Sequence, residues 1–80
     1  MYSVYVLYSP TFHQVYTGQT QNVILRLNRH NKRLVLSTKR YCPWELVYTE
    51  EYKTRSEAMK REKFLKSGKG RDYLRSLHLF

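Results

Sequence analysis

The chain has 80 residues and a mass of 9.8 kDa, enough for one domain, expected over residues 1–80, and too little for a separate regulatory one. With 41% apolar and 26% charged residues and only 3 Gly and 2 Pro, it is neither low-complexity disorder nor a fibrous repeat. Fifteen Lys and Arg against six Asp and Glu leave a formal charge of +9, so a polyanion, nucleic acid above all, is the expected partner. No apolar run approaches the roughly 18–20 residues of a membrane span, so no membrane partner is expected. The start, Met1-Tyr2-Ser3-Val4-Tyr5, has no basic leader and no small-residue cleavage site. One cysteine, Cys42, makes neither an internal disulfide nor a zinc cluster. A soluble, cytoplasmic protein is the expectation. Residues 1–44 contain six cations and no carboxylate, and every acid lies between Glu45 and Asp72. Eight tyrosines among these cations suit contact with bases and sugars, although most tyrosines in a small fold serve its core or rim.

Tyr2 to Tyr8 alternates, with Val4, Val6 and Tyr8 on one side and Ser3, Tyr5 and Leu7 on the other, which predicts a strand. Ser9-Pro10-Thr11 is a turn, and Gln14-Val15-Tyr16-Thr17-Gly18 returns as the second strand of a hairpin. Asn22 is an N-cap for a helix over about 23–33, whose apolar stripe is Val23, Leu27 and Leu34 with Ile24 beside it. Ser37 to Tyr41 reads as a polar loop, and Trp44 to Thr49 as a third strand. Thr54-Arg55-Ser56-Glu57 matches a capping box opening a helix to about Lys66, with Gly68 as its left-handed stop. Gly70 then opens a short helix carrying Tyr73, Leu74 and Leu77. The order β-β-α-β-α-α predicts an α/β fold, a small three-stranded antiparallel sheet flanked by helices.

Several polar residues stand where apolar ones are expected. Glu62 lies between Ala58 and Leu65 on one helical stripe, where a carboxylate is costly unless paired, protonated or bound to a metal; pairing with Lys66 at i+4 is the plainer alternative. Val23, Leu27 and His30 fall at i, i+4 and i+7, so His30 faces the core, where a histidine is more often a hydrogen-bonded packing residue than a ligand. Arg26, one turn before His30, has no carboxylate in its half of the chain, which leaves phosphate as an obvious partner. Arg29, Lys32, Arg33, Lys39 and Arg40 extend that acid-free, cationic half as candidate nucleic-acid contacts. The chain lacks the several clustered carboxylates of many nucleases, Asp72 being its only aspartate. Metal chemistry would rest on one carboxylate, waters and phosphate oxygens, which Mg²⁺ accepts. A free tyrosine, with a pKa near 10, is a poor base at neutral pH, and neighbouring arginines and a metal would improve it.

Ser3-Val4-Tyr5 and Tyr16-Thr17-Gly18, followed by Arg26 and His30, make the chain similar to the GIY-YIG nuclease superfamily, in particular its small single-domain bacterial group. The segments Pro43–Tyr48 and Ser56–Gly70 also resemble that group, so the likeness covers nearly the whole chain. It departs from the family pattern at Ser3, which replaces a glycine, and at Val4 and Thr17, which replace isoleucines; the reactive side chains remain. The resemblance implies a GIY-YIG-like fold and catalytic roles for Tyr5, Tyr16, Arg26 and His30. Tyr16 would activate water, with Tyr5 supporting the water or the metal shell. Arg26 would hold the scissile phosphate, and His30 would carry a proton or a hydrogen bond. Gly18 would let the backbone approach closely, and Glu62 would bind the divalent metal, Mg²⁺ or Mn²⁺. The implied activity is metal-dependent endonucleolytic hydrolysis of DNA, structured or branched DNA in repair or recombination included. The competing expectation is a non-catalytic basic module that binds nucleic acid without cutting it. Nothing in the residues supports a protein partner or a homodimer.

Overall fold

The computed structural model describes residues 1–80. Strand β1 (Tyr2–Ser9) runs antiparallel to β2 (Gln14–Thr20) on one side and to β3 (Glu45–Tyr52) on the other, and is the middle strand of the sheet. A register shift between Val6 and Leu7 leaves Val47 as the extra residue on β3. Helix α1 (Val23–Asn31) follows the hairpin, and α2 (Arg55–Lys66) and α3 (Gly68–Ser76) follow β3, so the order is β-β-α-β-α-α as expected.

Both faces of β1 are covered, and Ser3 to Leu7 are all buried, which is why this strand is apolar on both sides. Val4 and Val6 pack with Ala58, Leu65 and Leu74 under α2 and α3. Tyr5 and Leu7 pack on the opposite face with Trp44, against Val23 and Leu27 of α1. Each fully buried Val or Leu contributes about 1.5–3 kcal/mol, so Val4, Val6, Leu65 and Leu74 hold α2 and α3 to the sheet. A polar clasp closes this face. Glu50 on β3 accepts from Arg61 Nε (2.8 Å) and Nη2 (3.0 Å), from Tyr52 Oη (2.6 Å) and from the Tyr48 hydroxyl. Burial opposes ionisation of Glu50, but Arg61 and the two phenols outweigh it and hold the carboxyl below its usual range.

Two caps stand where the sequence puts them. Asn22 Oδ1 accepts from Leu25 N at 3.0 Å, and Thr54 Oγ1 from Glu57 N at 3.2 Å. Glu57 answers the Thr54 hydroxyl (2.9 Å) rather than its backbone amide, a variant of the capping box.

Other expectations are corrected. Helix α1 stops at Asn31, short of residue 33, because Arg33 turns into the left-handed region (φ 63°). There Arg33 N bonds His30 O (3.1 Å) and Leu34 N bonds Arg29 O (3.0 Å), a Schellman closure without glycine. Ile24 and Leu34 are 64% and 60% exposed and leave the apolar stripe, since no element covers the outer side of α1. The polar loop at 37–41 holds a buried residue, Thr38, and a single 3₁₀ turn, Lys39–Tyr41. The second strand runs on to Thr20, and the third starts at Glu45 and continues to Tyr52.

Gly68 is not a left-handed stop, since no glycine has positive φ. Ser67 ends α2 and starts α3: its amide donates to Phe64 O (2.9 Å), and its hydroxyl accepts from Gly70 N (3.2 Å). Gly70 is the glycine this corner requires, because a Cβ there would lie 2.0 Å from Phe64 O and 2.4 Å from Leu65 Cα. At Gly68 a Cβ would meet nothing within 4 Å. Gly70→Ala is therefore expected to lose about 1–3 kcal/mol or more in denaturant unfolding, and Gly68→Ala to be neutral or to gain up to about 1 kcal/mol. The reverse ranking would contradict this account of the corner.

Candidate active site

Strand alternation turns Tyr5 toward α1, and antiparallel pairing sets it opposite Gly18. A Cβ at position 18 would lie 2.7 Å from the Tyr5 hydroxyl and 3.1 Å from Tyr16 Cε1. The missing side chain thus leaves room for both phenols. Tyr16 stands opposite Leu7 on the same face, half-buried on the edge strand, with its ring 6.2 Å from that of Tyr5 and 4.9 Å from that of His30 between centroids. Helical spacing brings Arg26 and His30 to the same place. Arg26 Nε donates to the Tyr5 hydroxyl at 3.3 Å, and that hydroxyl lies 3.0 Å from His30 Nε2. His30 Nδ1 is 2.7 Å from Thr38 Oγ1, and the Thr38 hydroxyl reaches Val35 O at 3.4 Å.

These contacts assign every proton in one direction. Arg26 donates to Tyr5, Tyr5 to Nε2 of His30, Nδ1–H to Thr38, and Thr38 to a backbone carbonyl. With the Thr38 hydroxyl donating to Val35 O, Nδ1 carries the proton, and in a neutral ring Nε2 then accepts from Tyr5. Burial, with the Arg26 charge adding to it, pushes the His30 pKa down to about 4. Burial also pushes the Tyr5 phenol up to about 12; the Arg26 hydrogen bond works against this and does not reverse it. Tyr5 therefore keeps its proton at neutral pH, because the neighbouring guanidinium lowers its pKa by less than burial raises it. Hydrogen bonding to the Tyr5 phenol, against burial, raises the guanidinium pKa of Arg26.

Glu62 lies on α2. It is 22% exposed at its side chain, and Lys66 Nζ donates to its Oε2 at 2.7 Å, the i+4 pair the sequence allows. The same ammonium lies 6.0 Å from the centroid of the Tyr16 ring, so Lys66 stands between Glu62 and Tyr16; Glu62 bonds no tyrosine directly. No three His, Cys, Asp or Glu side chains converge anywhere in the fold. One carboxylate, already holding a cation, fits a magnesium-type ion that keeps its waters, and does not suit a zinc-type cage.

Arg29, Lys32, Arg33, Lys39 and Arg40 are exposed, make no ion pair and lie outside the tyrosine cluster, on α1 and the turns after it. Three residues outside the expected site set matter here. Thr38 sets the His30 tautomer. Asn31 fixes the end of α1 by accepting from Trp44 N (2.7 Å) and donating to Trp44 O (3.0 Å). Lys66 occupies Glu62. Only Lys66 carried a signal, its i+4 spacing, because the other two depend on where distant chain segments meet.

Residues 1–74 match the GIY-YIG catalytic domain. The chain belongs to the GIY-YIG family. It is 43% identical over 54 residues to UPF0213 proteins of Staphylococcus aureus strains Mu3 and COL, a match covering 66% of this chain and 66% of each relative, just under two thirds of their length. A UPF0213 protein of Bacillus halodurans, solved by NMR in solution, shares the fold at 31% identity with a TM-score of 0.57, over 96% of this chain and 85% of that one. The GIY-YIG domain marks a nuclease family. In this member the two non-conservative departures from the motif, Ser3 and Thr17, are both buried in the sheet, and Ser3 Oγ donates to Glu51 Oε1 at 3.3 Å.

His30 also sets how the fold responds to acid. Its folded pKa lies below the ordinary 6.5, so the unfolded chain takes up the proton first as pH falls. The contribution of neutral His30 is complete above about pH 6.5 and is lost as pH drops from there toward 4. Glu50 adds a second loss only below the ordinary carboxylate pKa of 4.5. The melting temperature is expected to decline between pH 6.5 and 4.5 in the parent protein and to stay flat over that window in His30→Gln. Equal declines in both would place the titrating group elsewhere.

Proposed function

We propose that this chain acts as one endonuclease domain over residues 1–80, hydrolysing phosphodiester bonds in DNA, structured or branched DNA in repair or recombination included. Its metal would be Mg²⁺ or Mn²⁺ and its compartment the cytoplasm. The observation that carries the reading is the convergence of Tyr16, Arg26 and the Tyr5–His30 pair on one sheet face, at an edge that Glu62 reaches through Lys66. The charge agrees with it: twelve of the fifteen cationic side chains have no carboxylate within 4.0 Å.

The geometry separates the two tyrosines. Tyr5 is a poor base, because its pKa is pushed up to about 12 and its proton is directed at His30. Its work is to hold Arg26 by Nε, which leaves the terminal nitrogens of the guanidinium for the non-bridging oxygens of the scissile phosphate. His30, neutral, fixes the Tyr5 hydroxyl. Tyr16, at the edge, would as its phenolate take the proton of the attacking water, and the leaving oxygen would take a proton from solvent. Glu62 would hold the metal in exchange for the Lys66 ammonium, and the ion would supply the positive charge that phosphodiester hydrolysis needs.

One observation favours the second reading, a nucleic-acid-binding module that does not cut. The 2.7 Å Glu62–Lys66 pair is what a merely structural glutamate would keep. Single-turnover cleavage, DNA affinity and melting temperature across a metal titration separate the two. An endonuclease is expected to lose about 10²–10⁴-fold in rate on Tyr16→Phe with affinity unchanged. It should lose metal-dependent cleavage on Glu62→Gln while binding DNA as well or better. A binding module shows no metal-dependent cleavage in the parent protein, and Glu62→Gln moves only its melting temperature.

A further inference from the structure

Beside the candidate active site a groove of about 480 Å³ opens along the β2 edge, between that strand, the end of α2 and α3. Tyr16 stands at its mouth, and Lys66, Arg71, Leu74, Arg75 and Phe80 line it. Leu74 is buried and forms the floor. Phe80 is 44% exposed and stacked on Tyr8, with centroids 5.0 Å apart and planes 11° from parallel. Arg71 has no carboxylate partner, and Arg75 has only Asp72 at 3.5 Å, with both side chains about three-quarters exposed. An ion pair that long and that wet is easily exchanged for a phosphate.

The groove therefore combines one unpaired and one loosely paired guanidinium, an aromatic ring and an apolar floor. Cations alternating with aromatic rings suit a single nucleic-acid strand, the cations meeting phosphates and the rings meeting bases. The volume lies in the range of small-ligand sites and admits one nucleotide, not a duplex. The cations of α1 and its following turns differ in this respect: they face solvent and line no comparable groove.

We propose that this groove is a nucleotide subsite, with the phosphate between Arg71 and Arg75 and the base against Phe80, holding the nucleotide next to the cleaved bond. The nucleotide chemistry stands on the groove alone; its place beside the cleaved bond rests on the endonuclease reading. A nucleotide seated this way is unstacked from one neighbour, so the strand entering the groove is locally unpaired.

Titrating the ¹⁵N-labelled protein with thymidine 5′-monophosphate, thymidine and inorganic phosphate tests it. The monophosphate is expected to shift the amides of residues 14–17, 65–66 and 71–75, and to bind more tightly than either of its parts. Arg71→Gln should weaken it about 10-fold, as the loss of a charged hydrogen bond worth ~1.5 kcal/mol would. Phe80→Ala should weaken the monophosphate and thymidine alike, while circular dichroism reports both variants folded. Shifts confined to α1, indifference to Arg71→Gln, or inorganic phosphate binding as tightly as the nucleotide would each overturn the subsite. DNA cleavage by a protein whose nucleotide shifts lie elsewhere removes the groove and leaves the nuclease. Nucleotide binding in the groove without any cleavage keeps the nucleotide site and removes both the nuclease and the place assigned beside the cleaved bond.

Discussion

The buried hydroxyl of Tyr5 is the point on which the site depends. It receives a hydrogen bond from Arg26, gives one to His30, and so ties α1 to the central strand. That helix has little else to hold it: Val23 and Leu27 are only half-buried, and Ile24 and Leu25 are exposed. The remaining anchors are also polar. His30 bonds Thr38, Asn31 bonds the Trp44 backbone in both directions, and Cys42 Sγ donates to His30 O at 3.0 Å. Buried polar groups of this kind cost stability when any one of them is left unsatisfied, and the fold leaves none without a partner. The arrangement also fixes charge. With Tyr5 and His30 both neutral, Arg26 is the only charged member of the chain of hydrogen bonds.

The two faces of the sheet divide the work. Under α2 and α3 the packing is apolar and closed by the Glu50–Arg61 clasp, which fixes the helix that carries Glu62 and Lys66. Under α1 the packing is polar and aromatic, which is the chemistry a phosphate-handling site needs. The edge strand β2 joins the two, because Tyr16 faces α1 while its neighbours Val15 and Thr17 line the groove toward α3. Gly18 makes the junction compact, since any side chain there would collide with Tyr5.

Much of this was legible in the residues. Alternation located the strands, Asn22 and Thr54 located the helix starts, and helical spacing brought Arg26 and His30 to one face and paired Glu62 with Lys66. These are local rules, each decided within about one turn or one strand. What was not legible depends on distant segments. Period alone marks Ile24 and Leu34 as apolar positions, but whether they are buried depends on a covering element that the fold does not provide. Gly68 looked like a helix stop because glycine commonly is one, but Ser67 makes the corner by capping both helices, and the close approach falls on Gly70. Thr38 lies in a segment that reads as polar loop, and its role exists only because α1 delivers His30 beside it. Counting charges along the chain favoured the acid-free half and passed over Arg71 and Arg75, whose one acidic neighbour, Asp72, binds too loosely to occupy either.

The protonation of His30 tests the central claim most directly. Long-range ¹H–¹⁵N correlation of its ring nitrogens at neutral pH reads the tautomer without reference to activity. The account predicts a neutral ring protonated at Nδ1, with Nε2 showing the shift of a hydrogen-bond acceptor, and a change in Thr38→Val. A ring protonated at Nε2, or an imidazolium at pH 7, would contradict the chain from Arg26 through Tyr5 to Thr38, and with it the separation of roles between the two tyrosines.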